Sequence, residues 1–540
     1  MVVMACLNRL FKEEVFEPQH LSLFAPIAGK LLTTKSPLLF LQNVVNATFG
    51  VVALFFLTRY FPLSWGIFAF DIGFVGLFTL VNDLGYSTAT LRNISSGEDL
   101  GESNATLLAI KLSLGGIFIA ITVGSLLIWT IVLKHGFEYQ AEFWVALELI
   151  PYYFFSSMIG FTGTYYTAKM SSARMSIPAM IEAVLRNSSI IILSVLAFSR
   201  ILPIGEGEMV YILPGIYSCT YSVYFGVSVL LGRPWVISRP SRALFRKLTK
   251  VALPLALSAS IGVINANIDK VLIQFFWEAG ATGAYYLNQR LIQVILNFSV
   301  AISVFFIPLM AKYARKRDDE ALGKSINDYE RFITLFMLPF IVVTIFLSKY
   351  ILNLFNGYYS EYSLLLPLLA INALFYVSMQ PFYSAIIALG KTSIIAKITL
   401  TSLLMNIALN LILVPSSLFG YRSLSLGVVG AGVSTLSATV FSNVAYRIYL
   451  NREIKLGFRS RNPILLLPAV VEGAFILLVL TRIQPYSFII LLPVSIIAAL
   501  IFFAVALILK QTTIHELFSF FSNMNPLRLG DHLKEESNNK

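Results

Sequence analysis

Residues 267–298 read NIDKVLIQFFWEAGATGAYYLNQRLIQVILNF. Two apolar stretches flank a short turn, yet Asp269, Lys270 and Arg290 stand inside the apolar parts. Each stretch has the length and composition of a helix that crosses a bilayer, and ionisable groups at that depth are costly and mark function. The segment therefore reads as a transmembrane hairpin with a polar interior. Arg290 falls about 12 Å below the external turn, at about 1.5 Å per residue, and Asp269 and Lys270 fall at nearly the same depth.

The rest of the chain repeats that apolar pattern. Of its 540 residues, 57% are hydrophobic and 13% charged, with mean hydropathy +0.78. Ordinary soluble domains carry about a quarter charged residues. An all-α polytopic membrane protein is expected, with fourteen spans at 37–58, 66–90, 104–132, 143–168, 178–199, 209–232, 251–276, 282–308, 326–348, 363–387, 394–415, 428–450, 463–481 and 487–509. The seven external turns hold only six basic residues, Arg59, Lys134, Arg200, Lys349, Arg422 and Arg482, and the opposite side holds most of the others. The net charge of +12 is thus a topology signal that places both termini in the cytoplasm, not a nucleic-acid footprint. Cys6 and Cys219 are too few for a disulfide framework.

A basic connector, GRPWVISRPSRALFRKLTK (232–250), separates six spans from the next six. A shift of 217 residues superposes GIFAF (66–70) on GAYYL (283–287), and RMSIPA (174–179) on KTSIIA (391–396). One offset at two distant, topologically equivalent points indicates a six-helix unit repeated in parallel, with a substrate site between the copies near the midplane. The expected organisation is an N-terminal segment (1–36), a first lobe (37–232), a linker (233–250), a second lobe (251–450), two additional helices (451–509) and a tail (510–540). Both end segments are expected to be cytoplasmic.

Further charges lie within the spans. Asp71 and Lys111 sit on spans 2 and 3, and Glu182 and Arg186 share a face of span 5 at i and i+4. With Asp269, Lys270 and Arg290 they are the candidate cavity residues. A bland reading makes Asp269–Arg290 and Glu182–Arg186 structural ion pairs. A cavity holding arginine and lysine suits an anionic ligand, since the guanidinium fork matches phosphate oxygens and the ammonium supplies a movable point charge. Asp269 is the expected partner of Arg290, because Lys270 points about 100° away from it on the helix.

Signals for other chemistry are absent. LGKT (389–392) resembles the end of a phosphate loop, but Ala385 stands where that motif needs its first glycine. The four histidines lie outside the spans without metal-ligand spacing, so no metal or cofactor is expected. External connections are short and hold no paired acids, which weighs against a glycosyltransferase or polymerase. The coupling ion, proton or sodium, is left open.

YYLNQRLIQ (285–293) followed by IPLMAKYA (307–314) resembles span 8 of lipid-linked oligosaccharide flippases. NIALNLILVP (406–415) with GVVGAGVST (427–435) resembles spans 11 and 12 of polysaccharide exporters, and NDLGYSTATLRNISSGED (82–99) resembles the turn after their span 2. The chain is thereby similar to the multidrug/oligosaccharidyl-lipid/polysaccharide flippase superfamily across spans 1–12. The resemblance implies that Arg290 matches the family's cavity arginine and Asp269 the acid on span 7. No basic residue lies between 37 and 58, which argues against lipid-linked peptidoglycan as substrate. The implied activity is flipping of a polyprenyl-phosphate- or diphosphate-linked glycan to the external leaflet of the cytoplasmic membrane by alternating access. A monomer working alongside glycosyltransferases is expected, and the rival reading is a cation-coupled multidrug antiporter.

Overall fold

A computed structural model describes residues 36–132, 137–169, 173–232, 238–418, 421–454 and 462–514. The expected N-terminal segment and tail lie almost wholly outside these residues, as do all four histidines. The chain is helical: α1 Ser36–Tyr60, α2 Pro62–Phe78, α3 Tyr86–Ser95, α4 Leu100–Leu127, α5 Gln140–Ala168, α6 Ala173–Phe198 and α7 Glu206–Gly232 form the first half. The second half comprises α8 Arg242–Phe276, α9 Ala279–Lys316, α10 Asp319–Phe355, α11 Leu365–Ala388, α12 Thr392–Leu413 and α13 Gly427–Ile454, and α14 Leu466–Leu480 and α15 Phe488–Ile508 follow. A two-residue hairpin, β1 (Ser417–Leu418) with β2 (Tyr421–Arg422), joins α12 to α13.

Eleven of these helices are long and apolar enough to cross a membrane. The expected fourteen are not all among them. The 35-residue α8 and 38-residue α9 are the missing spans 7 and 8, and they carry the buried charges and long basic ends. The other, α14, has only 15 residues. At about 1.5 Å per residue α9 spans about 57 Å, so it overhangs a hydrocarbon core of about 30 Å.

Local chemistry explains where the helices begin. Asp99 caps α4 through Glu102 N (2.6 Å), and Asp318 caps α10 through Ala321 N (3.0 Å). Pro62 occupies the first turn of α2, where its missing N–H costs nothing. The Glu206 carboxylate accepts from Leu63 N at 3.1 Å and Ser64 N at 2.8 Å, an anion placed at the positive end of α2. The expected external turn 59–65 thus shrinks to Phe61 alone between α1 and α2. The expected second span, 66–90, is broken: α2 stops at Phe78, and Gly85, at φ 79°, turns the chain into the separate amphipathic helix α3.

The two halves pack by one pattern. In the first, α1 lies on α6, α5 on α7, and α4 on α5; in the second, α8 lies on α12, α11 on α13, and α10 on α11. The halves meet through α2, which runs against both α8 and α9. Near the N-terminal ends of α2 and α9 the backbones touch directly. A Cβ on Gly66 would come within 2.5 Å of the Ala279 carbonyl oxygen, and one on Gly283 within 2.9 Å of the Gly66 Cα. Gly66 and Gly283 are the residues that the 217-residue shift equates. Helices α14 and α15 pack on each other and on α10, and the aromatic ring of Phe346 fills the space over Gly473.

Candidate functional site

The site forms where α2 crosses α8 and α9. Tyr286, buried on α9, lies flat against Trp65 of α2, ring centroids 4.8 Å apart and planes 11° apart, while the Trp65 indole N–H donates to Gly283 O at 2.9 Å. Two cations share that tyrosine. The Lys270 ammonium lies 5.0 Å from the Tyr286 ring centroid and the Arg290 guanidinium 4.7 Å from it, and Arg290 also donates to the Tyr286 hydroxyl. Cation–π contact holds such groups without cancelling their charge.

Arg290 lies eleven residues into α9 with its side chain solvent-accessible. Gln293 and Asn297 hydrogen-bond each other at 3.0 Å and lie on the Arg290 face of α9 at i+3 and i+7. On α8, the accessible small residues Ala259, Gly262 and Ala266 share a face with Lys270 and leave it room.

Asp269 does not pair with Arg290, contrary to expectation. Its carboxylate accepts from Tyr285 OH (2.7 Å), Thr435 Oγ1 (2.9 Å) and Asn410 Nδ2 (2.8 Å), tying α8 to α9, α12 and α13 inside the second half. The turn of about 100° between neighbouring helix residues sends Asp269 into the lobe and Lys270 toward α2, where Gly73 leaves room for its side chain. The helical geometry holds as expected but assigns the opposite roles: Lys270, not Asp269, lies with Arg290 beside Tyr286, itself buried against α2. Among the described residues no carboxylate comes within ion-pair distance of either cation.

The first-half candidates divide. Glu182 and Arg186 pair at 2.5 Å on α6, and Arg186 also lies over the Tyr217 ring at 4.9 Å and donates to its hydroxyl at 3.3 Å. Lys111 instead forms an ion pair with Asp83 and reaches the Asn82 carbonyl, locking α4 to the turn after α2. Burial pushes the Asp83 carboxyl up, but Lys111 and the Ser87 hydroxyl outweigh it and leave the group below its ordinary value. Lys111 is thus engaged in an ion pair at that turn. Asp71 is fully buried on α2 with neither oxygen hydrogen-bonded.

Sequence reading overlooked the tyrosines. Tyr217, Tyr221 and Tyr224 recur at i, i+4 and i+7 on α7, and Tyr152 of α5 meets Tyr217 and Tyr221. Gln293 and Asn297 were likewise overlooked. Polar or amphipathic residues at that period in an apolar helix were the available signal. Among the described residues, no group of three or more His, Cys, Asp or Glu is arranged to hold a metal ion.

Comparison with known proteins fits this geometry. The sequence profile of a family described as "Polysaccharide biosynthesis protein" matches residues 32–314, and that of MatE matches 254–412. The chain is 22% identical to the probable low-salt glycan biosynthesis flippase Agl15 of Haloferax volcanii over 439 residues, covering 79% of this chain and 85% of that one. It is 26% identical over 184 residues to the capsular polysaccharide biosynthesis protein CapF of Staphylococcus aureus, covering 33% and 46%. Among solved structures, the inward closed conformation of lipid II flippase MurJ superposes with TM-score 0.65 at 17% identity, over 86% of this chain and 97% of that one. An inward-facing multidrug resistance MATE transporter superposes with TM-score 0.57 at 16% identity, covering 78% and 99%.

Proposed function

The chain belongs to the polysaccharide biosynthesis protein family, within the multidrug/oligosaccharidyl-lipid/polysaccharide flippase superfamily, and from that premise we propose how it moves its substrate. It is a multi-pass membrane flippase for lipid-linked glycans. The observation that carries the mechanism is the pair Arg290 and Lys270, both held against Tyr286, with no carboxylate partner among the described residues.

Two unneutralised cations in a low-dielectric cavity are expensive unless an anion joins them. A phosphate or diphosphate linking glycan to polyprenol supplies that anion: the guanidinium takes two of its oxygens and the ammonium a third. The glycan then sits in the wet cavity while the hydrocarbon tail remains in lipid. An unaided headgroup would leave many hydroxyls without partners in hydrocarbon, each costing kilocalories. The route lowers that barrier with no bond made or broken.

The chain is read as two six-helix lobes, 37–232 and 251–450, that rock about a pseudo-twofold axis along the membrane normal. The shared packing pattern and the contact of Gly66 with Gly283 support this, because residues equated by a twofold meet each other at its axis. Both termini are placed in the cytoplasm on the distribution of basic residues. A second reading, a cation-coupled multidrug antiporter, is favoured by the MatE match over 254–412. The cationic cavity wall opposes it, since an organic cation would be repelled there.

The test is reconstitution. Proteoliposomes carrying a fluorescent polyprenyl-diphosphate-linked oligosaccharide should expose it in the opposite leaflet faster than protein-free vesicles, while a lipophilic cation should not move. Cation transport without glycan-lipid transport would replace this reading with the second.

A further inference from the structure

The first half carries an aromatic surface different in kind from the cationic cluster at Tyr286. Tyr217, Tyr221 and Tyr224 form a stripe on α7, and Tyr152 meets Tyr217 and Tyr221 edge-on, with centroids 5.6 and 4.4 Å apart. Tyr152, Tyr221 and Tyr224 are only half-buried, so part of each side chain remains accessible. Phe68 of α2 lies 4.8 Å from Tyr217 and 6.1 Å from Trp65, which stacks on Tyr286 beside Arg290, so the aromatic rings of the two halves meet along α2. Beside these rings the Glu182 carboxylate and the Arg186 guanidinium form an ion pair at 2.5 Å, in which their charges offset each other.

We propose that this tyrosine wall of the first half is the glycan subsite and that it selects neutral pyranose sugars. The proposal rests on the flippase reading and assigns its cavity a division of labour: Arg290 and Lys270 of the second half hold the phosphate, and the first half holds the sugar. The chemistry matches at three points. One face of a pyranose ring presents mainly C–H groups, which pack on an accessible aromatic face. Its equatorial hydroxyls need donors and acceptors together, which tyrosine hydroxyls and a paired carboxylate and guanidinium supply in one place. An acidic sugar would find no free cation, because Glu182 already occupies Arg186.

The subsite was built for packing rather than charge, which explains why residues on three helices converge there. Arg186 is clamped by Glu182 on its own helix and by the Tyr217 hydroxyl and ring on α7. A guanidinium held from two sides keeps a fixed orientation toward hydroxyl groups. Tyr286, by contrast, is occupied by Trp65 on one side and two cations on the other, leaving no face for sugar.

The experiment compares two probes on the purified full-length protein in nanodiscs: a polyprenyl diphosphate, and the same lipid carrying a neutral N-acetylhexosamine disaccharide. Wild type should bind the glycosylated probe about tenfold more tightly than the bare one, the scale of one or two aromatic contacts. Tyr221→Ala and Tyr152→Ala should bring that ratio close to one while leaving the bare probe's affinity unchanged. Tyr221→Phe, which keeps the ring, should retain most of the ratio, and this guards against a merely unfolded alanine variant. If bare polyprenyl diphosphate does not bind wild type, the phosphate reading of the preceding section falls. If it binds but the disaccharide adds nothing, or the alanine variants keep the full ratio, the subsite is overturned. A lipid bearing hexuronic acid that binds more tightly than the neutral probe would overturn the selectivity.

Discussion

Asp269 and Lys270 are neighbours whose side chains do opposite work. The carboxylate satisfies three neutral donors from three other helices, whereas the ammonium faces the opposing half of the molecule. Asp269→Ala strips acceptors from those buried donors and should cost about 2–4 kcal/mol of stability, at about 1–3 kcal/mol per orphaned group with partial relaxation. A thermal-shift assay in detergent should show a lower midpoint for the alanine variant, and little loss in Lys270→Met. A similar loss in both would dissolve the distinction. Asp83 gives a pH-dependent counterpart. Its folded-state value lies below the ordinary carboxylate range, so its contribution is present above about pH 4, the unfolded value, and disappears as acid passes the lower folded value. Asp83→Asn should therefore lower the midpoint at pH 7, and the gap to wild type should narrow in strong acid. The charges themselves were legible from residue types in apolar runs. Their pairing was not, because the faces that α12 and α13 present to Asp269 depend on packing between segments some 140 to 170 residues away.

Among the elements, α2 decides how the halves meet. Four small residues let it approach: Gly66 and Gly283 near the N-terminal ends of α2 and α9, Gly73 over Lys270, and Gly76 beside Asn267 and Tyr153. Carboxylates of the first half reinforce the same end, since Glu138 accepts from Gln274 Nε2 (2.8 Å) and Ala279 N (2.7 Å), and Glu142 from Gln274 Nε2 (2.9 Å). Gly66→Ala places a Cβ against backbone, which cannot yield as a side chain can. That variant should loosen the external seam, and a cysteine introduced at Gln293 should then react faster with a membrane-impermeant maleimide added outside. Unchanged labelling would mean that the seam does not hold the cavity shut. The helices were largely readable from apolar length, as α10, α11 and α13 show. The break after Phe78 was not, because Asp83 and Gly85 were absorbed into a run that stays apolar through Val81.

At the scale of the molecule, α14 and α15 stand outside the repeated pattern and pack chiefly on α10. Deleting 463–540 should leave the remaining helices folded and monodisperse, and should slow flipping of long-chain glycan lipids if the appended pair shelters the hydrocarbon tail. Unchanged flipping would remove that role. The repeat was visible in the sequence as one offset at two places, and the contact between Gly66 and Gly283 gives it a physical meaning that sequence spacing cannot. The account's central claim concerns the opposing charge: a planar guanidinium at Arg290, fixed on Tyr286 and free of any carboxylate, grips the linking phosphate. Arg290→Lys keeps the positive charge and removes the fork. At equal membrane abundance, translocation of a polyprenyl-diphosphate-linked oligosaccharide in proteoliposomes should fall at least about tenfold, the equivalent of one lost charge-assisted hydrogen bond. Wild-type translocation by the lysine variant would contradict the claim and leave Arg290 a structural charge.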